Sequence, residues 1–238
     1  MKKMLLVFAH PWDEAVAVGG TVAKYNKIGW QMERLCATNL GYAEGKLSEL
    51  TPGTLEDPIF RAMESGLPDV VITFDQTGIS NHPDHIKICF AVTYAFQKYA
   101  LWLVGLRKKY RMYGARDEQW LKRLDSFLVG NIDPKLYYTC MPSSVVRHAI
   151  NERVIPAENF GKPMQGADDS LITTIIDIRK QSTIKLNAIK AHESQVVDVD
   201  GFVQREGNPL FDQEYFIYRM QGTEEIFVGK NDSVSGRL

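Results

Sequence analysis

The apolar run of residues 4–8 constrains the fold most strongly, because His10 and then a helical pattern follow it almost directly. A short run without alternation is typical of a central parallel strand that is covered on both faces. From Asp13 onward, apolar residues recur at helical spacing, and Gly29 is a suitable C-terminal cap. This order of strand, short loop and helix predicts the opening of a doubly wound α/β domain.

Similar patterns recur along the chain and extend this interpretation. Further strands are predicted at residues 32–38, 70–74, 135–140 and 173–178, and helices at 86–99, 102–127 (interrupted near Gly114) and 180–192. Residues 39–54 are predicted to be loop, and the pattern of the last 40 or so residues gives the least clear prediction of secondary structure. The fold class is therefore α/β, with a Rossmann-like, mostly parallel sheet and helices on both faces. Ligands of such sheets bind at the carboxyl ends of the strands, where both histidine-rich segments fall.

Composition narrows the classes of partner. A chain of 238 residues with 45% hydrophobic and 24% charged residues fits a single domain spanning residues 1–238. The net charge of −1 gives no basic field for nucleic acid or for an anionic membrane surface, so a small-molecule partner is expected. The basic residues 107–111 are interpreted as a solvated helix face. The sequence leaves the oligomeric state open.

Cysteine usage and hydropathy indicate the compartment. The three cysteines, Cys36, Cys89 and Cys140, are odd in number and lie in apolar segments, which favours reduced core thiols and a cytoplasmic location. The first apolar run is too short for a signal peptide. No other stretch approaches the ~18 apolar residues that a membrane span requires, so no span is expected.

Two short motifs carry the chemistry: His10-Pro11-Trp12-Asp13 and His82-Pro83-Asp84-His85. A catalytic zinc ion needs about three protein ligands from histidine and carboxylate side chains, with one position left for water. His10, Asp13 and His85 would supply that set. Each motif alone is weak, because a rim histidine is usually a surface or hydrogen-bonded residue. Their joint placement on one rim of a parallel sheet favours a metal site.

The segments FAHPWDEAVAVGG and ITFDQTGISNHPDHIKI resemble the two principal motifs of the LmbE-like, or PIG-L-like, family of zinc-dependent N-deacetylases. Weaker matches, among them PDVVIT and KLNAIKAHESQ, extend the resemblance over most of the chain. It implies a single deacetylase domain that acts on N-acetylglucosamine conjugates or related N-acetylated amino sugars or amides. It also implies a zinc cofactor, with Fe²⁺ as an alternative.

The resemblance assigns roles to individual residues. It implies that His10, Asp13 and His85 hold the metal and that His82 stabilises the oxyanion or protonates the leaving amine. Asp84 matches a carboxylate that orients a neighbouring histidine. An N-terminal helix cap before Ile86 is almost as well supported as a role for Asp84, and it is compatible with the first role. His192 matches a recurrent family histidine, for which a structural role is favoured over a catalytic one.

Two departures from the family pattern bear on turnover. Trp12 stands where the family normally has the aspartate that acts as general base, and an indole has no acceptor for a proton. We therefore expect severely impaired hydrolysis, since rescue by Asp84 or Glu14 has little support. Between Thr38 and Gly41 the family usually carries an acidic-glycine loop and a helix with an Arg-x-x-Glu pattern. We therefore predict a deletion relative to the family near residues 38–41, and the loss of a covering helix would expose apolar sheet surface.

Four functions are compatible with these features. The leading one is a metal-dependent N-deacetylase, and the second is a catalytically silent metal- or ligand-binding protein, natural or altered, for which Trp12 is the discriminating residue. A nucleotide-binding protein ranks lower, because no G-x-G-x-x-G follows the first strand. A non-haem iron oxygenase shares the ligand set. However, the sequence offers it no recognisable cosubstrate site.

Overall fold

A computed structural model describes residues 1–109, 118–130, 132–192, 209–227 and 233–238. Its strands are β1 Lys3–Phe8, β2 Gln31–Cys36, β3 Val70–Phe74, β4 Lys135–Cys140, β5 Glu158–Asn159, β6 Lys162–Pro163, β7 Thr174–Asp177, β8 Gln213–Gln221 and β9 Glu224–Glu225. Its helices are α1 Asp13–Lys27, α2 Glu56–Gly66, α3 Gly78–Asn81, α4 Pro83–Lys109, α5 Glu118–Leu128, α6 Ser143–Asn151, α7 Ser182–Lys190 and α8 Pro209–Asp212.

The main sheet has seven strands, six of which follow the order β2-β1-β3-β4-β8-β7, while β9 pairs with β8. The first four strands of this order are parallel, whereas β8 is antiparallel to both β4 and β7. The strands β1 and β3 are buried almost throughout. The predicted α/β fold with a mostly parallel sheet is therefore confirmed, with an antiparallel strand near one edge.

The helices form two packed groups. One contains α1 and α7, and the other contains α2 and α4. The chain moves from β1 outward to β2 and then crosses back to β3, and right-handed crossovers in opposite directions place α1 and α2 on opposite faces. The sheet is thereby covered on both sides, which is why β1 and β3 are uniformly apolar.

The change of direction also creates the crevice that holds the histidine motifs. From β1 the chain leaves toward β2, and from β3 it leaves toward β4, although β1 and β3 are hydrogen-bonded neighbours. The loops that follow these two strands therefore separate above the sheet and leave a cleft at their carboxyl ends. His10 follows β1, and the segment from Asp75 to His85 follows β3.

The structure corrects the sequence interpretation in three places. The segment after residue 194 contains β8, a nine-residue strand inside the sheet that was not predicted. The helix predicted at residues 86–99 is part of the longer α4, and the predicted interruption near Gly114 lies outside the described residues.

The third correction is the helix α2, which lies in a segment for which the sequence predicted no element. The helix α2 covers β1 and β2, and it carries Arg61 and Glu64, whose side chains form an ion pair at 2.8 Å. A covering helix with an Arg-x-x-Glu pattern is therefore present further along the chain. The extent of any deletion relative to the family, and the single-domain boundary, stay predictions.

Residues Pro83–Leu106 of α4 are long and apolar enough to cross a membrane by length and composition, with a mean hydropathy of 1.2. Half of that stretch is buried inside the fold, as is usual for the core helix of a globular protein. Among the residues that the structure describes, it is the one helix that meets this test.

Candidate metal centre

The loop after β1 brings two of the predicted ligands together. His10 and Asp13 are 3% and 4% exposed, and the backbone N–H of His10 donates to Asp13 Oδ2 at 2.7 Å. This bond closes the turn into α1 and aims the Asp13 carboxylate back toward the imidazole. The Nδ1 atom of His10 lies 3.4 Å from Asp13 Oδ2.

The third predicted ligand, His85, is positioned by the loop after β3. Its ring stacks on Phe74 at 4.0 Å between centroids, and its Nδ1 lies 3.0 Å from the carbonyl oxygen of Gly78. Gly78 has a φ of +62°, and a Cβ there would lie 2.9 Å from the Cβ of His85. This position therefore favours glycine both for its backbone conformation and for the close approach of the histidine.

The three predicted ligands form a compact cluster. The Nε2 atom of His85 lies 3.3 Å from His10 Nδ1 and 3.5 Å from Asp13 Oδ1. Zinc bonds to nitrogen and oxygen are about 2.0–2.1 Å long, so two ligands of a tetrahedral ion are separated by about 3.4 Å. The spacing of these atoms therefore fits one tetrahedral metal ion.

The remaining ring nitrogens indicate which atoms would face the metal. His10 Nε2 lies 3.3 Å from Asp84 Oδ2, and His85 Nδ1 faces the Gly78 carbonyl. Both of these acceptors require an N–H on the ring. The lone pairs of the neutral rings are consequently left on His10 Nδ1 and His85 Nε2, which are the two atoms of the cluster.

Asp84 is fully buried, and its carboxylate has hydrogen-bond partners in addition to His10. Its carboxylate accepts hydrogen bonds from the backbone N–H of Gly45 at 2.6 Å and of Leu47 at 3.0 Å. It therefore ties the loop after β2 to the His10 side chain. His10, His82 and Asp84 form a second group with metal-ligand spacing, but the carboxylate of Asp84 is engaged by these donors.

His82 stacks on His85 at 4.6 Å between centroids, and its Nδ1 accepts the backbone N–H of Asp84 at 3.1 Å. The neutral ring therefore carries its proton on Nε2. Burial, together with the neighbouring His85 and His10, lowers the pKa of His82. The structure thus places a neutral N–H donor beside the predicted ligands.

Charge within the cluster is mutually compensated. Burial disfavours the ionised Asp13, but its interactions with the neighbouring His10 and His85 side chains outweigh this effect and hold the pKa of Asp13 well below its usual range. Burial likewise opposes a charge on His10, yet Asp13, Asp84 and Glu44 together raise its pKa. Asp13 is therefore an anionic group at neutral pH, as a metal ligand must be.

Glu44 is a residue that sequence analysis missed. It is exposed and lies on the loop that Asp84 holds through Gly45, and its charge contributes to the raised pKa of His10. Its only sequence signal is its place in the stretch GYAEGKL, residues 41–47, which is another of the weaker matches to the LmbE-like family. By contrast, the carboxylate of Glu14 forms an ion pair with Arg34 at 2.9 Å.

Trp12 and His192 complete the set of predicted residues. Trp12 is half-buried at the N-cap of α1, where its carbonyl oxygen accepts the N–H groups of Ala15 and Val16. His192 lies just beyond α7. Ile189 of α7 contacts Ala15 of α1, and Lys185 lies against Gly19, so the two helices run antiparallel. The end of α7 therefore approaches the start of α1, a proximity that sequence spacing did not reveal.

No protein-family model matches the sequence. Among curated proteins, a 1D-myo-inositol 2-acetamido-2-deoxy-alpha-D-glucopyranoside deacetylase of Rhodococcus erythropolis is 26% identical, over 82% of this chain and 81% of the relative. A probable N-acetylglucosaminyl-phosphatidylinositol de-N-acetylase of Dictyostelium discoideum is 28% identical, over 37% of this chain and 46% of the relative.

Solved structures share the fold at lower identity. The N,N'-diacetylchitobiose deacetylase of Pyrococcus horikoshii aligns with a TM-score of 0.52 at 16% identity, covering 90% of this chain and 82% of that one. The 4-carboxy-2-hydroxymuconate hydratase GalB of Pseudomonas putida aligns with a TM-score of 0.51 at 12% identity, covering 96% and 100%. At this identity the likeness concerns the fold alone, which evidently carries more than one chemistry. The sequence relatives, in contrast, are deacetylases of N-acetylglucosamine compounds, and they confirm the resemblance of this chain to the LmbE-like, or PIG-L-like, N-deacetylases that the two histidine motifs indicated.

Proposed function

We propose that this protein is a zinc-dependent hydrolase that removes the acetyl group from N-acetylglucosamine conjugates or related N-acetylated amino sugars, on a Rossmann-like sheet. One observation carries the proposal: His10 Nδ1, His85 Nε2 and the Asp13 carboxylate lie 3.3 to 3.5 Å apart. The curated deacetylases to which the chain is similar support the substrate class. A cytoplasmic location remains part of the proposal.

The side chains around the cluster suggest how the reaction is divided. A zinc ion held by His10, Asp13 and His85 would polarise the acetamide carbonyl and acidify a bound water. The Nε2–H of His82 would donate to the carbonyl oxygen as negative charge develops there. Asp84 would keep His10 in the required tautomer through its 3.3 Å contact with Nε2.

The weak point of this arrangement is proton transfer from the attacking water. Trp12 has no acceptor atom, and Glu14 and Asp84 are engaged by Arg34 and by backbone N–H groups respectively. The exposed Glu44 is the carboxylate that we assign to any residual proton transfer. General-base assistance contributes ~10²–10⁴ in rate, so turnover should fall below that of a site with an aspartate at position 12 by about this factor.

The test is acetate release from methyl N-acetylglucosaminide by the zinc-loaded protein and its Trp12→Asp variant. We expect a rise of about 10²–10⁴ in kcat/KM for Trp12→Asp. Trp12→Asn is the matched control, because it removes the indole without adding a base. Equal and negligible rates in the Asp and wild-type proteins would reject the deacetylase function.

The ligand assignment is tested separately by metal analysis. Wild-type protein should bind one zinc ion, whereas His10→Ala and His85→Ala should bind much less. The control is His148→Ala, a histidine on α6 that lies outside the metal-ligating groups. Stoichiometric zinc in both ligand variants would show that the ligand assignment is wrong. If the wild-type protein retains iron in preference to zinc, Fe²⁺ takes the place of zinc in the proposal.

A catalytically silent metal-binding protein is the second candidate, and Trp12 is the observation that favours it. Stoichiometric zinc in an inactive wild-type protein, together with an active Trp12→Asp variant, would support this candidate. The deacetylase chemistry would then require an aspartate at position 12, which this chain lacks.

A further inference from the structure

A cavity of about 220 Å³ is bounded by α1, the end of β4, α7 and the segment around β5 and β6. Most of its wall is hydrocarbon, supplied by residues such as Val16, Ile79, Met164, Ile189 and Phe211. The mechanism proposed above uses none of these side chains. The cavity is therefore a candidate binding site with no assigned occupant.

The cavity shares three chain segments with the metal centre. Val16 lies one helical turn after Asp13 on α1, and Ile79 lies three residues before His82. On the third side, Asn159 lines the cavity while the adjacent Phe160 contacts the ring of His82 at 4.6 Å between centroids. A molecule whose amide lies at the metal could therefore extend one arm into the cavity without crossing another element.

The polar side chains of the wall are already hydrogen-bonded within the protein. The pairs are Lys185 Nζ with Glu214 Oε1 at 2.7 Å, Tyr215 hydroxyl with Gln213 Oε1 at 2.9 Å, and Asn159 Nδ2 with the carbonyl oxygen of Ser80 at 2.9 Å. Glu214 also accepts the backbone N–H groups of Gly20 and Thr21. A polar ligand group would have to compete with these bonds, whereas an apolar group would not.

We propose that this cavity binds an apolar group that is covalently attached to the N-acylated substrate, either an alkyl chain or an aromatic ring. Its volume exceeds that of an engineered apolar cavity of about 150 Å³ that binds benzene. The apolar group could be an acyl chain longer than acetyl or an apolar aglycone, because both are attached near the scissile amide. The inference rests on the proposed function for the position of that amide.

The experiment measures binding rather than turnover, so that its failure differs from a failure of the deacetylase function. Zinc-loaded protein is titrated calorimetrically with methyl glucosaminides carrying N-acetyl, N-butanoyl or N-hexanoyl groups. A parallel titration uses N-acetylglucosaminides with methyl, butyl or phenyl aglycones. Each methylene that enters the cavity should raise affinity about fourfold, so N-butanoyl or butyl should gain at least tenfold over its parent.

The series that gains affinity identifies the apolar group. A gain in the acyl series assigns the cavity to the acyl chain, and a gain in the glycoside series assigns it to the aglycone. Affinity that does not rise in either series overturns the proposal, whatever the rate of acetate release. Conversely, a gain in binding without acetate release from any compound would reject the proposed hydrolysis and leave the subsite standing.

Variants locate the gain in the cavity. Ala17→Met should fill part of the space and abolish the chain-length gain, because Ala17 lines the cavity. Its matched control is Ala62→Met, at another half-buried helical alanine that packs on the core at a distance from the cavity. Gln213→Phe, at an exposed position of the wall, provides a second blocking variant should Ala17→Met fail to fold. A chain-length gain that survives in a folded blocking variant would overturn the proposal.

Discussion

The substitution Asp84→Asn tests the residue that joins three parts of the metal centre. Oδ2 of Asp84 contacts both Gly45 N and His10 Nε2, whereas Oδ1 accepts the N–H of Leu47. An asparagine can place its carbonyl oxygen at the Oδ2 position and so keep two of these three contacts. Its amide N–H₂ group then faces the N–H of Leu47, and one buried hydrogen bond becomes a clash between donors.

The cost follows from this count of contacts. A hydrogen bond to a charged group contributes ~1.5–3 kcal/mol, and the asparagine loses one such bond and weakens two others. We therefore expect the free energy of unfolding of the metal-free protein to fall by about 2–3 kcal/mol. His10 also loses its carboxylate partner, which should lower zinc affinity by about 10–100-fold.

Zinc affinity is measured by competition with a chelator, and stability by urea denaturation of the metal-free protein. Asp69→Asn is the matched control, because Asp69 is a buried carboxylate that binds Lys3 N and Arg123 away from the metal-binding residues. It should lose stability but keep its zinc affinity. Zinc affinity in folded Asp84→Asn within threefold of wild type would refute the role of Asp84 in positioning His10.

Two further predictions concern packing and thiol chemistry. Gly20→Ala should destabilise the protein by about 1–3 kcal/mol in urea denaturation, because the added Cβ would lie 2.6 Å from the Ile178 side chain. The control Gly105→Ala should not destabilise the protein, because the space around Gly105 is open. Equal losses of stability in the two variants would contradict the packing argument. Burial raises the pKa of Cys89 to about 12 and also raises that of Cys140 well above its usual range, so both thiols should resist a thiolate-specific reagent at pH 8 until urea unfolds the chain. Rapid modification of either thiol in the native protein would show that the thiol becomes exposed to solvent without unfolding of the chain.

Some features of this fold follow from local sequence because they depend on local burial. The apolar runs of β1, β3 and β4 predicted strands within one residue of those in the structure, since a strand covered on both faces has no polar side. The strand β8 was missed because the charged residues Glu214 and Arg219 interrupt its apolar pattern. Glu214 is buried there only because Lys185 and two backbone N–H groups of α1 meet it.

The same division applies to the metal centre. The sequence determined which side chains could bind a metal, because His10, Asp13 and His85 follow strands whose carboxyl ends share one edge. The loop from Gly41 to Leu47 looked polar and unremarkable in the sequence. Its backbone N–H groups nevertheless reach Asp84 from 37 and 39 residues away, and this contact brings Glu44 to the centre.

The sequence by itself determined the candidate ligands, the parallel strands and the departure at Trp12, since each depends on residue type and local pattern. Only the tertiary structure decided which ring nitrogens of His10 and His85 face each other, that Asp84 links His10 to a distant loop, and that an apolar cavity shares α1 and the loop after β3 with the cluster. These properties depend on distances between groups that are far apart in the chain. Hydrogen bonds and packing fix those distances once the sheet has formed, and no local pattern encodes them.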